Sequence, residues 1–503
     1  MTSHYRPQSR ASAWAASTAA AVAALGLAGC VNYAGIKSDK QIVPPAAYET
    51  NESLPVEGGQ WPAIDWADQF GDPQLSRLID EALAGNPTID QARARIEKAS
   101  SYVATANSAL YPNVTGSYSW TRQRYSENGL VPPPFGGTWQ SENTVLASAS
   151  WDLDLWGKNR DRLREAISQK KVADAEAEEV RISLAASVAS AYNHLAQLYA
   201  LRDIQVREVK NREDIAQITH GRVGAGLDTN VEQQTANGET ATSRSSVSDL
   251  DGQITTVRYQ LGALLGKGPD RGLAIAQPSL ADVGDVALPD NLPADLISRR
   301  PDIVAAYWQV DAAIQGVKEA KAEFYPDVNL SAAVGLDAFG WGRFLTAGSR
   351  QIQAGPAIHL QIFDAGALRS HLKGRYAEFD YDVATYNQTL INALSDVATQ
   401  VTQIRSDDRQ LVDAQQALDA QTKAYQLAIV RYKAGLNQQL QVLNADDNRL
   451  AAETAVVNLE MGRRNTQIGL IKALGGGFNA AQTGLAANTE TPIPAPSDDA
   501  ATH

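Results

Sequence analysis

After Tyr111-Pro112, and again after Tyr325-Pro326, the chain alternates between apolar and polar residues. In the first run Val114, Gly116, Tyr118 and Trp120 share one face, and Thr115, Ser117, Ser119 and Thr121 the other. Its partner sets Val145, Ala147, Ala149, Trp151 and Leu153 against Leu146, Ser148, Ser150, Asp152 and Asp154. A third run sets Val328, Leu330, Ala332, Val334 and Leu336 against Asn329, Ser331, Ala333, Gly335 and Asp337. A fourth carries Ile352, Ala354, Pro356, Ile358, Leu360 and Ile362 on one face, with Phe363 ending the other. A period of two predicts strands with one greasy face. Each run is about the 9–11 residues a tilted strand needs to cross a bilayer. Tyr118, Trp120, Trp151 and Trp156 fall near the strand ends, where an aromatic girdle belongs. Pro356 places its strand at an edge or a bulge. A half-buried strand of a soluble sandwich alternates in the same way, so the pattern alone leaves both readings open. The stretch Arg122–Glu142, with Pro132-Pro133-Pro134 and Gly136-Gly137, predicts a long external loop.

A different period follows each hairpin. From Trp156 to His220 there is no proline and one glycine, Gly157, and good helix formers dominate. Sixty-five helical residues span about 98 Å. Leu184, Val188, Ala191, Leu195 and Leu198 are spaced 4, 3, 4 and 3, and Leu390, Leu394, Val397, Val401 and Ile404 likewise, which is a coiled-coil seam. Gly224, Gly226 and Gly435 mark the hairpin turns, at the end remote from the strands. Asp72-Pro73 reads as a helix start, and Tyr111-Pro112 as a helix stop.

The chain repeats itself. Asn86-Pro87-Thr88-Ile89 matches Arg300-Pro301-Asp302-Ile303, and Leu110-Tyr111-Pro112-Asn113-Val114 matches Phe324-Tyr325-Pro326-Asp327-Val328, both at an offset of 214. Arg222-Val223-Gly224-Ala225-Gly226-Leu227 matches Arg431-Tyr432-Lys433-Ala434-Gly435-Leu436 at 209, as Leu264-Leu265-Gly266 matches Ala473-Leu474-Gly475. Four matches in order make two copies of one unit. The five-residue change falls between the Tyr-Pro sites and the glycine turns, where a loop absorbs it. We divide the chain into a signal peptide (1–29), a tether (30–68), a first repeat (69–270), a linker (271–294), a second repeat (295–478) and a tail (479–503).

Composition narrows the setting. No internal stretch approaches the roughly 20 apolar residues of a membrane-crossing helix, so any span must be built of strands. A net charge of −13 disfavours nucleic acid as a partner. The one cysteine, Cys30, excludes an intrachain disulfide and a cysteine-based metal cluster. It follows Arg6, Arg10 and an apolar run from Ala11 to Leu27, and closes the sequence Leu27-Ala28-Gly29-Cys30. Basic, apolar and small-residue regions in that order form a secretory signal. The ending resembles a bacterial lipobox, which implies cleavage before Cys30, acylation there and, with Val31 next, transfer to the outer membrane. His4, His194, His220, His359, His371 and His503 are scattered without metal spacing, and no nucleophile motif or phosphate loop is present. Gly475-Gly476-Gly477 follows a helix and reads as a stop, not as a phosphate cradle. We expect no enzyme activity and no cofactor.

Four strands cannot close a barrel, and lipid tolerates no open edge, so several copies must pool their strands. Three would supply twelve, an even number within the known range, though the strands alone do not fix three. A passive porin would leave the long helices without a task, and a structural coiled-coil lipoprotein would leave the hairpins without one.

The chain resembles the TolC-type outer-membrane efflux family, in its lipoprotein (NodT/OprM-like) branch. The resemblance rests on the lipobox, Phe70-Gly71-Asp72-Pro73-Gln74-Leu75, Trp151-Asp152-Leu153-Asp154-Leu155-Trp156-Gly157, Leu296-Ile297-Ser298-Arg299-Arg300-Pro301-Asp302-Ile303 and Lys472-Ala473-Leu474-Gly475-Gly476-Gly477-Phe478. It implies a mixed α/β membrane protein, a homotrimer whose twelve-stranded outer-membrane β-barrel joins a long periplasmic α-helical barrel. It implies partners too: outer-membrane lipid, a periplasmic adaptor and an inner-membrane pump, docked at turns that here contain Arg222, Gly224, Gly226, Arg431 and Gly435. Family positions matching Leu440 and Asn444 line the periplasmic constriction, usually as Leu and Asp, and another branch has Asp where Gln441 stands. Asn444 and Gln441 are neutral here. Any acidic ring would therefore come from Asp447, which shares a helical face with Leu440 and Asn444, from Asp446, or from Glu232.

Overall fold

The computed structural model describes residues 33–486 apart from 51, 56, 282, 283, 285, 286 and 291, so Cys30 and the signal region lie outside the described residues. The first repeat begins with α1 (Pro73–Gly85) and α2 (Pro87–Ser108), then β1 (Asn113–Arg124) and β2 (Trp139–Asp152). It continues with α3 (Lys158–Gly224), α4 (Asn230–Leu264) and the short α5 (Pro269–Leu273). The second repeat runs α6 (Leu292–Arg299), α7 (Pro301–Ala322), β3 (Asp327–Phe339), β4 (Arg350–His359), α8 (Ala367–Lys433) and α9 (Gln439–Ala473), with α10 (Ala480–Thr483) after it. The repeats match in length, with 67 residues in α3 and α8, 35 in α4 and α9, and 22 in α2 and α7. The offset between starts is 214 at β1 and β3, 211 at β2 and β4, and 209 at the long helices, so the five-residue change is taken up across the hairpins. Among the described residues no helix is long and apolar enough to cross a membrane.

The strands form one antiparallel meander, β1-β2-β3-β4. Its register brings the four apolar sets onto one face, since Gly116 pairs with Ala147, Ala147 with Val334, and Val334 with Ile352. That face is bare in a single chain, with Val114, Tyr118, Trp120, Val334, Ile352 and Ile358 all exposed. Trp120 pairs with Asn143, and Trp151 lies eight residues further along β2, about 27 Å at the usual rise per residue. That separation suits an apolar band roughly 25 Å tall between two girdles. At the lower end the Trp151 indole donates to the Leu110 carbonyl (3.1 Å), and the Trp156 indole to that of Pro326 (2.9 Å). Pro356 sits in β4, an edge strand within the chain, opposite Leu330.

The structure corrects the strand limits in three places. β4 stops at His359, so Leu360, Ile362 and Phe363 continue the alternation without belonging to a strand. Their partners would precede Asp327, where Pro326 has no N–H to offer a ladder. The first hairpin loop is shorter than 122–142, because Arg122, Gln123 and Arg124 pair with Ser141, Gln140 and Trp139. Polar residues on both faces carry no alternation, so hydropathy missed them. Asp154 also leaves β2, and its carboxylate caps α3 by accepting from the Asn159 and Arg160 N–H groups (both 3.0 Å).

The helices make a wall of four tracks. α3 packs on α2 and α4 along one flank and on α7 and α9 along the other, and α8 packs on α7 and α9. α4 and α2 share a track end to end, as do α9 and α7. At the first junction the Asn86 amide donates to the Leu264 carbonyl (2.7 Å), and at the second Arg300 donates to the Ala473 carbonyl (3.2 Å). Asn86 and Arg300 are repeat counterparts, so one solution is used twice. The seam residues Leu184, Val188, Leu195 and Leu198, and Leu390, Leu394, Val397, Val401 and Ile404, are buried in the wall. At 1.5 Å per residue each long helix spans about 100 Å.

Two motifs explain themselves at the middle of the wall. The Asp72 carboxylate caps α1 through the Gln74 N–H (2.9 Å) and accepts from the Tyr192 hydroxyl (2.6 Å) and the Ser279 N–H (2.8 Å). The three glycines 475–477 all have positive φ, of 90°, 53° and 84°. They turn the chain out of α9 against Arg299, Ile182 and Ala63. The segment from Tyr33 lies along α8, where the Val43 N–H donates to Asn387 (2.9 Å), and Tyr33 meets Phe324 edge-on at 5.5 Å.

Candidate functional site: the helical-hairpin tip

Both helical hairpins turn at the same end, and their turns touch. Gly226 and Gly435 take φ of 73° and 76°, the left-handed conformation that a side chain resists. Gly224 remains helical as the last residue of α3. The Arg222 guanidinium donates to Asp228 within its own turn (2.7 Å) and to the Tyr432 carbonyl of the other (3.0 Å), with the Tyr432 ring 4.5 Å beneath it. The Tyr432 hydroxyl donates back to Asp228 (2.8 Å). The Arg222 hydrogen bond holds the Asp228 carboxyl below the usual range. The buried Gln439 amide ties α9 to Thr219 (3.0 Å) and to the Glu232 carbonyl (3.1 Å). Arg222 therefore bolts the two turns together, while Arg431 stays exposed at the rim of a cleft of about 860 Å³ between them.

The structure separates the faces of α9. Leu440, Gln441, Asn444 and Asp447 are exposed, whereas Gln439, Val442, Leu443 and Asp446 are buried against neighbouring helices. Leu440 is 62% exposed, and its repeat counterpart Val231 71%, beside exposed Leu227 and Leu436. These four apolar side chains leave the tip of a single chain bare. Glu232 is committed to a capping box, in which its carboxylate accepts from the Thr229 N–H (2.8 Å). Asp446 is wholly buried and so lines no bore here.

Asp446 belongs to a cluster that hydropathy does not reveal. Arg212 of α3 is buried among Glu208, Asp446 (3.6 Å) and Asp447. Arg449 of α9 reaches Glu208 (2.7 Å), Asp446 (2.8 Å) and Glu453 (2.9 Å), and lies over the Tyr425 ring of α8 at 5.1 Å. Three helices are thus clamped behind the tip by charge. Burial, and then the neighbouring Asp446, push the Glu208 carboxyl up to about 7 against the pull of Arg212. The spacing of Glu208 and Arg212, four apart, was visible in the chain, but it reads equally as a solvated pair. Among the described residues no group of three or more His, Cys, Asp or Glu could hold a metal ion.

The outer membrane efflux protein family matches this chain over residues 78–267 and 292–476. The multidrug resistance outer membrane protein MdtP of Shigella flexneri is 31% identical over 466 residues, which span 90% of this chain and 95% of that protein. The fusaric acid resistance protein FusA of Burkholderia cepacia is 34% identical over 353 residues, 69% of this chain and 66% of that protein. Among solved structures, the outer membrane protein VceC of Vibrio cholerae has a TM-score of 0.78 at 32% identity, covering 83% of this chain and 100% of that one. Strands with a bare greasy face, a long helical wall and these matches agree: the chain belongs to the outer membrane efflux protein family and is an outer-membrane efflux channel.

Proposed function

We propose that three copies form the exit duct of a tripartite pump, anchored by acyl chains on Cys30 and docked at the hairpin tip to a periplasmic adaptor and an inner-membrane pump. The observation that carries this reading is the pair of open flanks. β1 and β4 are free sheet edges, and the four-track wall ends in α2 and α4 on one side and α8 on the other. Neighbouring copies close both rings with the same contact, as cyclic symmetry requires. The cargo is small toxic organic compounds, the class for which the MdtP and FusA relatives are named. Conduction is passive, and the partner pump supplies the energy.

In this reading Leu440 forms the apolar gate ring, with Asn444 and Asp447 behind it and Gln441 and Glu232 at its rim. Leu440→Ala is expected to raise resting ion conductance of the trimer in a planar bilayer several-fold; unchanged conductance removes Leu440 as the gate. Docking uses the exposed parts of the turns around Gly224, Gly226, Gly435 and Arg431, held in place by Arg222. A photo-crosslinking residue at Gln438, exposed in the second turn, tests docking. Capture of an adaptor or pump subunit is the expected outcome. A trimer in the outer membrane that captures neither is a passive porin instead.

A further inference from the structure

Between α3, α7 and α8 lies a groove of about 480 Å³. Asp302, Asp382 and Asp396 line it with Glu176, and Val172 and Ala306 give it an apolar patch. The one cation among its walls, Arg300, is already held by Asp302 (2.7 Å), Asp396 (3.5 Å) and the Ala473 carbonyl. Asp382 is 6% exposed, and its Oδ2 accepts no hydrogen bond from the protein. A buried carboxylate oxygen left without a donor is costly, so its retention calls for a reason.

The first repeat supplies the internal control. Its counterpart groove is lined by Thr88, Ala92, Arg95, Val180, Ser183 and Ser187, with Glu179 beside them. By the repeat offsets, Thr88 stands where Asp302 does, Ser187 where Asp396 does, and Ala173 where Asp382 does. The charged residues of the first groove cancel, whereas those of the second sum to −3. At the level of Asp302 and Asp396 the matching pair of helices in the first repeat is packed without carboxylates at those positions, while Ala173 lies outside that groove.

The groove opens opposite the tether. The chain after Tyr33 touches α8 at Asp380, Asn387, Ile391 and Ala398, while the groove takes Asp382, Thr385, Thr389 and Asp396, about 160° around the helix. A lipid-anchored tether runs outside the tube, so the groove faces the bore; this step rests on the trimeric duct proposed above.

We infer that this groove is a bore-side transit site for organic cations, with the Asp382 carboxylate as counter-ion to a positively charged nitrogen. Charge selects the cation, and the apolar patch beside the carboxylates takes a hydrophobic body. Among the described residues no three acidic groups converge as a metal ion needs, which leaves the organic cation as the ligand. Binding must be weak for a site on a conduction path, since cargo has to leave again.

The test uses the full-length trimer in lipid nanodiscs, with ethidium, a permanent aromatic cation, and a naphthalene sulfonate of similar size as the anionic control. Ethidium should bind saturably, and Asp382→Ala should weaken it tenfold or more without changing sulfonate binding. Asp382→Asn removes the charge while keeping the shape, which separates loss of charge from a change in packing. Burial, followed by Glu378, raises the Asp382 carboxyl to about 6. Glu378 of α8 is the charged group acting on it and Gln309 of α7 hydrogen-bonds to it, while Glu176 of α3, Arg300 and Asp302 at the start of α7, and Asp396 of α8 line the same groove, Asp396 about 21 Å further along the helix. Ethidium affinity should therefore fall below about pH 6 in the natural protein and stay level in both variants. A conducting wild-type trimer whose ethidium affinity is the same in both variants overturns the site and leaves the duct standing. A trimer that does not conduct overturns both.

Discussion

Gly475→Ala is expected to stop the chain from assembling. The residue leaves α9 with φ of 90°, and a Cβ there would lie 1.8 Å from the Arg299 carbonyl oxygen. Neither partner can yield, because both atoms belong to backbone at the junction where α9 hands its track to α7. A side chain at positive φ and a backbone overlap together cost upward of about 3 kcal/mol. Gly266, the counterpart in the first repeat, has φ of 69° and a Cβ position 2.3 Å from the Gly85 carbonyl oxygen. Gly266→Ala should therefore fail in the same way. Gly224→Ala is the control, since that glycine is helical and a Cβ would meet nothing within 4 Å. It should leave stability unchanged or raise it by about 0.5–1 kcal/mol. The readout is the yield of heat-resistant trimer in outer-membrane fractions. Normal trimer from Gly475→Ala would show that the junction rearranges, against the close approach described here.

Arg212→Met is expected to split the wall behind the tip. The guanidinium is 3% exposed and lies among three carboxylates, two of them buried. Removing it leaves Glu208 and Asp446 with Arg449 as their only cationic neighbour in the cluster. Breaking a buried ion cluster from one side costs about 3–5 kcal/mol, because the remaining charges stay buried without compensation. Amide hydrogen exchange in 205–215 and 443–452 should quicken by about a hundredfold or more. Protection equal to the natural protein would mean the cluster holds nothing together. The cluster also carries a pH signature. Glu208 ordinarily titrates near 4.5 and is raised to about 7 in the folded wall. Between those values the folded state binds a proton that the unfolded chain does not, so acid favours the folded cluster and its contribution is lost as pH rises through 7. Protection factors near the tip, taken relative to the intrinsic base-catalysed exchange rate at each pH, should therefore fall between pH 5 and 8, and Glu208→Gln should flatten that slope.

The order of elements was legible in the chain because each carries its own period. Strict alternation after Tyr-Pro marked the strands, and the 4-3-4-3 spacing from Leu184 and from Leu390 marked the long helices. Glycines marked the turns. The repeat offsets bracketed the five-residue change between the Tyr-Pro sites and the glycine turns, and the structure put it in the hairpins, since a repeated backbone keeps register wherever packing constrains it. The limits of β2 and β4 were less legible. Polar residues paired beyond the hydrophobic run, and Pro326 cut the ladder short of Ile362 and Phe363.

Sequence alone thus determined the local elements, their duplication and the greasy strand face, because these follow from spacing along one chain. Tertiary structure decided what spacing does not encode: which charges are buried and which atoms from distant segments meet. Glu208 and Arg212 read as a surface pair until α9 brings Asp446 and Arg449 against them. Gly475 reads as a helix stop until Arg299 lies against it. Asp382 reads as one acid among 57 acidic residues until α3 and α7 close over it and leave one oxygen without a donor. In each case the deciding quantity is desolvation or contact between segments far apart in the chain, which exists only once the wall has formed.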